Sequence, residues 1–235
     1  MTSEKSCDHH TEGTMGMRKH CISIVPIFNH LTPAEMEEIV KATHSVSYKR
    51  NHTIYHAGDK SDGLYIVHKG RVKVYRLSDN GKEQLVRILE PGNFTGELSL
   101  FNETVHDAYA EAMEPIELCV MDRESFQQFL LKYPAVSLKV LGEFSNRLAK
   151  TEQQAANIAM ETVETRVAMY LADQVEEQKM TTIVLPMTRK DLASHLGTTP
   201  ETISRKLADF EDAGWINQTT QRKIEIADLD ALLLA

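Results

Sequence analysis

Cys7, His9, His10, His20 and Cys21 crowd the first 21 residues of the chain, ahead of any sustained apolar run, and a third cysteine, Cys119, stands far downstream in "IELCVMD". Thiolate sulfur and imidazole nitrogen are soft to borderline donors that suit zinc, copper or iron, and two thiols can also close reversibly into a disulfide. An odd number of cysteines in a chain of 235 residues is not the framework of a secreted disulfide-rich domain, so reactive or ligating thiols are the alternative to inert ones. His9 lies close enough to Cys7 to share an ion with it, whereas the adjacent His20 and Cys21 are poorly placed to serve one tetrahedral centre.

A second constellation sits near the C-terminus, where "TTPETISRKLADF" places Glu201, Ser204 and Arg205 on one side of a helix and Ile203, Leu207 and Phe210 on the other. The apolar side is core. The polar side brings a carboxylate, a hydroxyl and a forked guanidinium to the N-terminal end of the helix, where a recognition helix meets base edges in the major groove. Arg forks onto guanine O6 and N7, Glu accepts from the cytosine amino group, and Ser meets several edges. Thr199 stands at the head of the same helix, while Arg189, Lys190 and Lys206, with Arg222 and Lys223 further on, are candidate phosphate contacts. The alternative for Glu201 and Arg205, four residues apart, is an exposed ion pair within the helix.

These groups need elements to hold them. Thr188 with Asp191 three residues on reads as a helix N-cap, Gly197 as the end of that helix, Thr199 with Pro200 as the next cap and Gly214 as its close. Two short helices around a tight glycine turn make a helix-turn-helix, and "WINQTTQRKIEIADL" adds two β pieces around a basic turn, as in a wing. Upstream, Leu141, Phe144, Leu148, Thr151, Ala155 and Ile158 recur at alternating steps of three and four, the seam of a helix that pairs with a copy of itself. Between Ser45 and Met121 short alternating runs are punctuated by Gly58, Gly70, Gly81 and Gly92, and "DNG" at Asp79–Gly81 signals a hairpin; this is the rhythm of an antiparallel roll.

The expected fold class is therefore α+β: a cysteine- and histidine-containing tail over 1–21, an antiparallel β-roll of jelly-roll type over 22–133, a dimerisation helix over 134–160 and a winged helix-turn-helix over 161–235. The net charge of −8 excludes a general positive field for coating nucleic acid, and the region after Met160 is itself acidic, with 8 Lys and Arg against 13 Asp and Glu. DNA binding must then be local. The absence of a signal-type apolar region, and of any apolar run near the roughly 18 residues that cross a bilayer, predicts a cytoplasmic protein without a membrane partner. An enzyme with a cupin-like metal site at His52, His56 or His68 would lack the compact His-x-His and Glu cluster and leave the helix-turn-helix unexplained, so no enzyme is expected. A third class is a cyclic-nucleotide-like interaction module that does not bind DNA.

A β-roll, a long helix and a winged helix in this order resemble the CRP/FNR superfamily of transcription regulators over nearly the whole chain. "GELSLF" at Gly96–Phe101 resembles the short helix motif of that superfamily's effector pocket, and "ETISRKL" the recognition helix of the FNR branch. The resemblance implies a homodimer on double-stranded DNA, with Glu201, Ser204 and Arg205 reading a TTGAT half-site in a palindrome, and RNA polymerase as the partner acted upon. It does not imply cAMP as a cofactor: where the cAMP branch carries Arg and Ser to hold the cyclic phosphate, this chain has Asp107 and Ala108, and a carboxylate repels a phosphate.

The same resemblance aligns Cys21 with the last N-terminal ligand of the FNR iron–sulfur cluster and Cys119 with the distant one, while Cys7 lies too far upstream to match the others. An all-cysteine cluster needs four thiolates and the chain has three. Two sensor mechanisms remain. One is a reversible disulfide from Cys119 to Cys21 or Cys7, as in the FNR-like proteins of Gram-positive bacteria called FLP. The other is zinc, copper, iron or an iron–sulfur cluster held by Cys7, Cys21 and Cys119 with His9, His10 or His20. The third reading leaves the tail polar and Cys119 inert. Alternation along "IELCVMD" places Cys119 with Glu117 and Met121 on the face away from Ile116, Leu118 and Val120, and so outside the deep core.

Overall fold

The computed structural model describes residues 22–61, 63–97, 101 and 105–234. In chain order the elements are α1 (Pro33–Lys41), β1 (Thr43–Tyr48), β2 (Thr53–Tyr55), β3 (Gly63–Lys69), β4 (Val72–Leu77), β5 (Glu83–Leu89), β6 (Phe94–Thr95), β7 (Tyr109–Ala112) and β8 (Ile116–Asp122). They continue with α2 (Arg123–Lys132), α3 (Pro134–Met160), α4 (Val163–Gln178), β9 (Thr182–Val184), α5 (Arg189–His195), α6 (Pro200–Asp212), β10 (Ile216–Gln218), β11 (Lys223–Ile226) and α7 (Leu229–Leu233). The contacts divide the chain into two compact units, one of Met1–Val72 with Leu89–Phe144 and one of Lys73–Ile88 with Ser145–Ala235.

In the first unit β1, β8, β3 and β6 form an antiparallel sheet in that order, and β2 pairs with β7. The central strands β3 and β8 are rich in Val, Ile and Leu and mostly buried, whereas the edge strand β1 is largely exposed. The roll closes on tight glycine contacts: Gly96 stands at φ +86°, and a Cβ there would collide with the carbonyl oxygen of Gly63. Helix α1 begins at a reciprocal capping box between Thr32 and Glu35 with Pro33 at its first position. Lys132 and Tyr133 both reach Glu38 on that helix, at 2.7 and 2.9 Å.

One expectation is overturned here. Cys119 is not at the margin of the core but 2% exposed. Its strand β8 is flanked by β1 and β3, with Ser45 and Ile66 opposite Cys119, and both of its faces are covered. Ile116, Leu118 and Val120 are buried on one face. On the other, Cys119 and Met121 belong to a core cluster with Ile22, Val25, Ile27, Phe28 and Leu31, Ile39 and Val40 of α1, Phe126 and Phe129 of α2, and Val136 and Val140 of α3. Alternation marks a solvent face only when nothing packs on the second face, and here helices do.

The long helix α3 buries only Val136 and Val140 along its 27 residues. Its heptad seam is open in the single chain: Leu141, Leu148 and Ile158 are exposed, with Phe144 half-buried against Phe101.

In the second unit Val167, Leu171, Leu192, Ile203, Leu207, Phe210, Ile216, Ile224 and Leu232 make the core of a winged helix-turn-helix. The wing sheet runs β10, β11, β9, so a third strand, Thr182–Val184, joins the two read from the sequence. The hairpin β4–β5 belongs to the same unit, and its turn follows the "DNG" signal: the Gly81 amide donates to Ser78 O at 2.8 Å with Gly81 at φ +77°. No helix among the described residues is long and apolar enough to cross a membrane.

Candidate nucleic-acid interface

The local sequence builds α5 and α6 as two capped rods. Thr188 and Asp191 form a full capping box, the Thr188 hydroxyl oxygen accepting from the Asp191 amide at 3.2 Å and the Asp191 carboxylate accepting from Thr188 N–H at 3.3 Å. Gly197, at φ +68°, turns the chain between the rods in a conformation that costs other L-residues. Thr199 then accepts from Thr202 N–H at 3.3 Å, and Pro200 starts α6 where a missing N–H is harmless. Thr199 is therefore the cap of the recognition helix.

Burial sorts α6 as its periodicity predicts. Ile203, Leu207 and Phe210 are buried, Glu201 and Arg205 are exposed and Ser204 is half-buried. No ion pair joins Glu201 to Arg205 among the described residues, so the exposed-pair alternative is not what the helix forms. Glu201 lies in the first turn, where helix N-H groups and the Thr199 hydroxyl hold its carboxyl below the usual carboxylate range and keep it an acceptor.

The flanking cations are engaged differently. Arg189 donates to Ser204 Oγ at 3.4 Å and to Gln218 Oε1 at 2.6 Å. Gln218 in turn donates through its amide and its side chain to Glu211, at 2.6 and 2.8 Å. First helix, recognition helix and wing are thus locked by one chain of hydrogen bonds, and the Glu211 carboxyl is held below its ordinary value by the Gln218 backbone and side chain and by the Arg189 charge. Arg222 braces the wing turn by donating to Leu185 O at 2.6 and 2.9 Å. Lys206, expected on the DNA side, points its ammonium at Glu164 and Asp209, at 2.7 and 3.2 Å. Lys190 and Lys223 are exposed.

Thr188, Arg189, Ser204, Gln221 and Arg222 line an open cleft of about 290 Å³ between the helix pair and the wing turn. Two guanidinium groups on one concave surface give it local positive charge in a chain whose net charge is −8. Gln218 and Gln221 were not among the residues expected from the sequence. Only their place at the ends of the wing strands could have pointed to them.

Comparison with known proteins accords with this architecture. Residues 45–133 match the model of the cyclic nucleotide-binding domain and residues 165–234 that of the Crp-like helix-turn-helix domain. A probable transcriptional regulator, flp, of Lacticaseibacillus casei is 34% identical over 191 residues, spanning 81% of this chain and 87% of the relative. The chain belongs to the CRP/FNR family of transcription regulators. Within that family it is also similar to the CRP-like cAMP-activated global transcriptional regulator of Mycobacterium tuberculosis, 28% identical over 88% of this chain and 94% of the relative. The structure of FixK2 from Bradyrhizobium japonicum superposes with a TM-score of 0.72 at 25% identity, over 81% of this chain and 95% of that one. The two curated relatives are transcriptional regulators, not enzymes, and a CRP/FNR-type helix-turn-helix is a DNA-binding module.

The remaining candidate residues lie in the tail and the roll. Cys119 is described above; Cys7, Cys21, His9, His10 and His20 lie outside the described residues. Ile22, the residue after Cys21, is fully buried in the cluster that contains Cys119. Among the described residues no group of three His, Cys, Asp or Glu side chains is arranged to hold a metal ion. His56 instead pairs with Asp59 at the surface. In the roll, Glu97 is buried, Asp107 is exposed and Ala108 is buried. The His106 ring stacks on Tyr55 with centroids 3.6 Å apart and planes 6° from parallel, and the Tyr55 hydroxyl lies 2.7 Å from that of Thr95.

Proposed function

We propose that this regulator works as a homodimer on a palindrome of TTGAT-type half-sites, with Glu201, Ser204 and Arg205 reading base edges and Arg189, Lys190 and the wing turn holding phosphates. From that operator it would act on RNA polymerase. The observation that carries the reading is the polar face at the start of α6: Glu201 exposed with its carboxyl held below the usual range, Arg205 exposed without an ion-pair partner among the described residues, and Ser204 at the rim of a cleft with two guanidiniums. The exposed Leu141, Leu148 and Ile158 supply the seam that a second copy would cover and so carry two recognition helices to half-sites about one helical turn apart. Arg205→Ala should weaken binding to a TTGAT palindrome by about 1 to 3 kcal/mol and blur the preference at the guanine. Unchanged affinity would refute the base-reading assignment.

The signal we propose is oxidation of Cys119 together with Cys21 or Cys7. Two thiols lose two protons and two electrons to form the disulfide, and a peroxide oxidant is reduced to water or alcohol and water. Support comes from the shared core of Ile22 and Cys119, which anchors the chain next to Cys21 on the same face of the roll as the buried thiol. Asp107 and Ala108, where the cAMP branch carries the Arg and Ser that hold the cyclic phosphate, favour this over a cyclic nucleotide, since a carboxylate repels a phosphate. Peptide mapping after peroxide treatment should find a tail-to-roll disulfide and a change in operator affinity. If no linkage to Cys119 forms, and elemental analysis of anaerobically purified protein finds bound metal, the thiol switch gives way to a metal centre.

A further inference from the structure

The hairpin β4–β5 and helix α5 are joined by an interaction that the DNA-reading surface does not use. The Ser194 hydroxyl donates to Glu83 O at 2.7 Å and accepts from the Leu85 amide at 2.6 Å, so one side chain occupies two main-chain groups of β5. Next to it the His195 carbonyl accepts from Gln154 Nε2 of α3 at 3.1 Å and from Gln84 Nε2 of β5 at 3.5 Å. Gln154 Nε2 also lies 3.3 Å from His195 Nδ1, and the Tyr170 ring of α4 meets the imidazole edge-on at 5.9 Å. Three sequence-distant elements therefore converge on the last turn of α5. Arg189, at the opposite end of that helix, lines the cleft.

We infer that Ser194 is a positioning residue for operator recognition: by clamping α5 to the β4–β5 hairpin and, through His195 and Gln154, to the long helix, it fixes how the helix-turn-helix is presented. The two hydrogen bonds are short and satisfy a strand amide and carbonyl that would otherwise need another partner, so the clamp is directional. Both bonds run to main-chain atoms of one strand, so a tilt of α5 relative to β5 lengthens them together. Apolar packing alone would tolerate such sliding. Because a dimer must place two recognition helices at a set separation, the orientation of α5 on α3 decides which half-site spacing fits.

This inference rests on the palindromic-operator reading, and the full-length protein tests both. Binding is measured for wild type, Ser194→Ala and Ser194→Thr against TTGAT palindromes whose central spacing varies by up to two base pairs either way, with hydrogen exchange at the Leu85 amide followed in parallel. Wild type should prefer one spacing by about tenfold, and Ser194→Ala should flatten the preference to about threefold or less, with the best-site affinity reduced. Ser194→Thr, which keeps the hydroxyl, should restore the preference, and the Leu85 amide should exchange faster in Ser194→Ala alone. A Ser194→Ala protein with faster Leu85 exchange but the wild-type spacing profile overturns the positioning role. Equal Leu85 exchange in wild type and Ser194→Ala overturns the clamp itself. Wild type that binds no palindrome at any spacing refutes the operator reading, and the positioning role falls with it.

Discussion

Lys206 Nζ lies 2.7 Å from Glu164 Oε2, so a cation of the recognition helix is spent on tying α6 to α4. Asp209 adds a second carboxylate at 3.2 Å. With its charge neutralised on the protein side, Lys206 should add little to phosphate binding. Lys206→Met should leave the slope of log affinity against log salt unchanged and cost about 1 kcal/mol of stability or less, whereas Lys190→Ala, which removes an exposed cation, should reduce that slope by about 1. Salt titrations of the two variants on the same operator make the comparison.

Thr188 closes the capping box of α5 and also borders the cleft lined by Arg189 and Arg222. Thr188→Ala should cost about 1 kcal/mol of stability, and Thr188→Ser should recover most of it because the oxygen is what accepts from Asp191 N–H. Denaturant unfolding of both variants reads the difference.

His195 is largely enclosed by Gln154, Gln84 and Tyr170, and burial holds its imidazole below the ordinary value of 6.5; a hydrogen bond in which the imidazole donates to the Leu85 main chain opposes this only in part. A histidine that resists protonation when folded, but not when unfolded, stabilises the fold above pH 6.5. That contribution is lost as pH falls below it, because the unfolded chain takes up the proton first. The unfolding free energy of wild type should drop between about pH 6.5 and 5 more steeply than that of His195→Gln. Equal slopes would show that His195 is not the group responsible.

Leu148 is 59% exposed at the middle of the α3 seam. Leu148→Glu would set two carboxylates against each other in a paired helix, and sedimentation should show a monomer where wild type is a dimer. Palindrome binding should fall with it, since the two half-sites would no longer be engaged by one particle.

Much of this architecture can be read from the chain because it is locally encoded. Gly58, Gly70, Gly81 and Gly92, picked out by spacing, all stand at positive φ, and Thr188, Gly197, Thr199, Pro200 and Gly214 mark the ends of α5 and α6 where the structure has them. Non-local relationships were not legible. Ser194 and Leu85 are 109 residues apart, and nothing in "DLASHLG" distinguishes a clamping hydroxyl from a solvated one. Strand β9, three residues long, is too short to carry a period, and exists because β11 offers it an edge. The burial of Cys119 was missed for a related reason. The alternation of β8 is real, but its second face is covered by the Ile22–Leu31 segment and by helices α1, α2 and α3, none of which can be read from the strand itself.

That burial also shapes timing. A thiol at 2% exposure meets a reagent only while its cover is open, so at high oxidant concentration the reaction can run no faster than the opening of the Ile22–Leu31 layer, however reactive the sulfur. If Cys119 is the proposed switch, the protein core would act as a delay line: a brief burst of oxidant would leave Cys119 untouched, and only a sustained exposure would reach it.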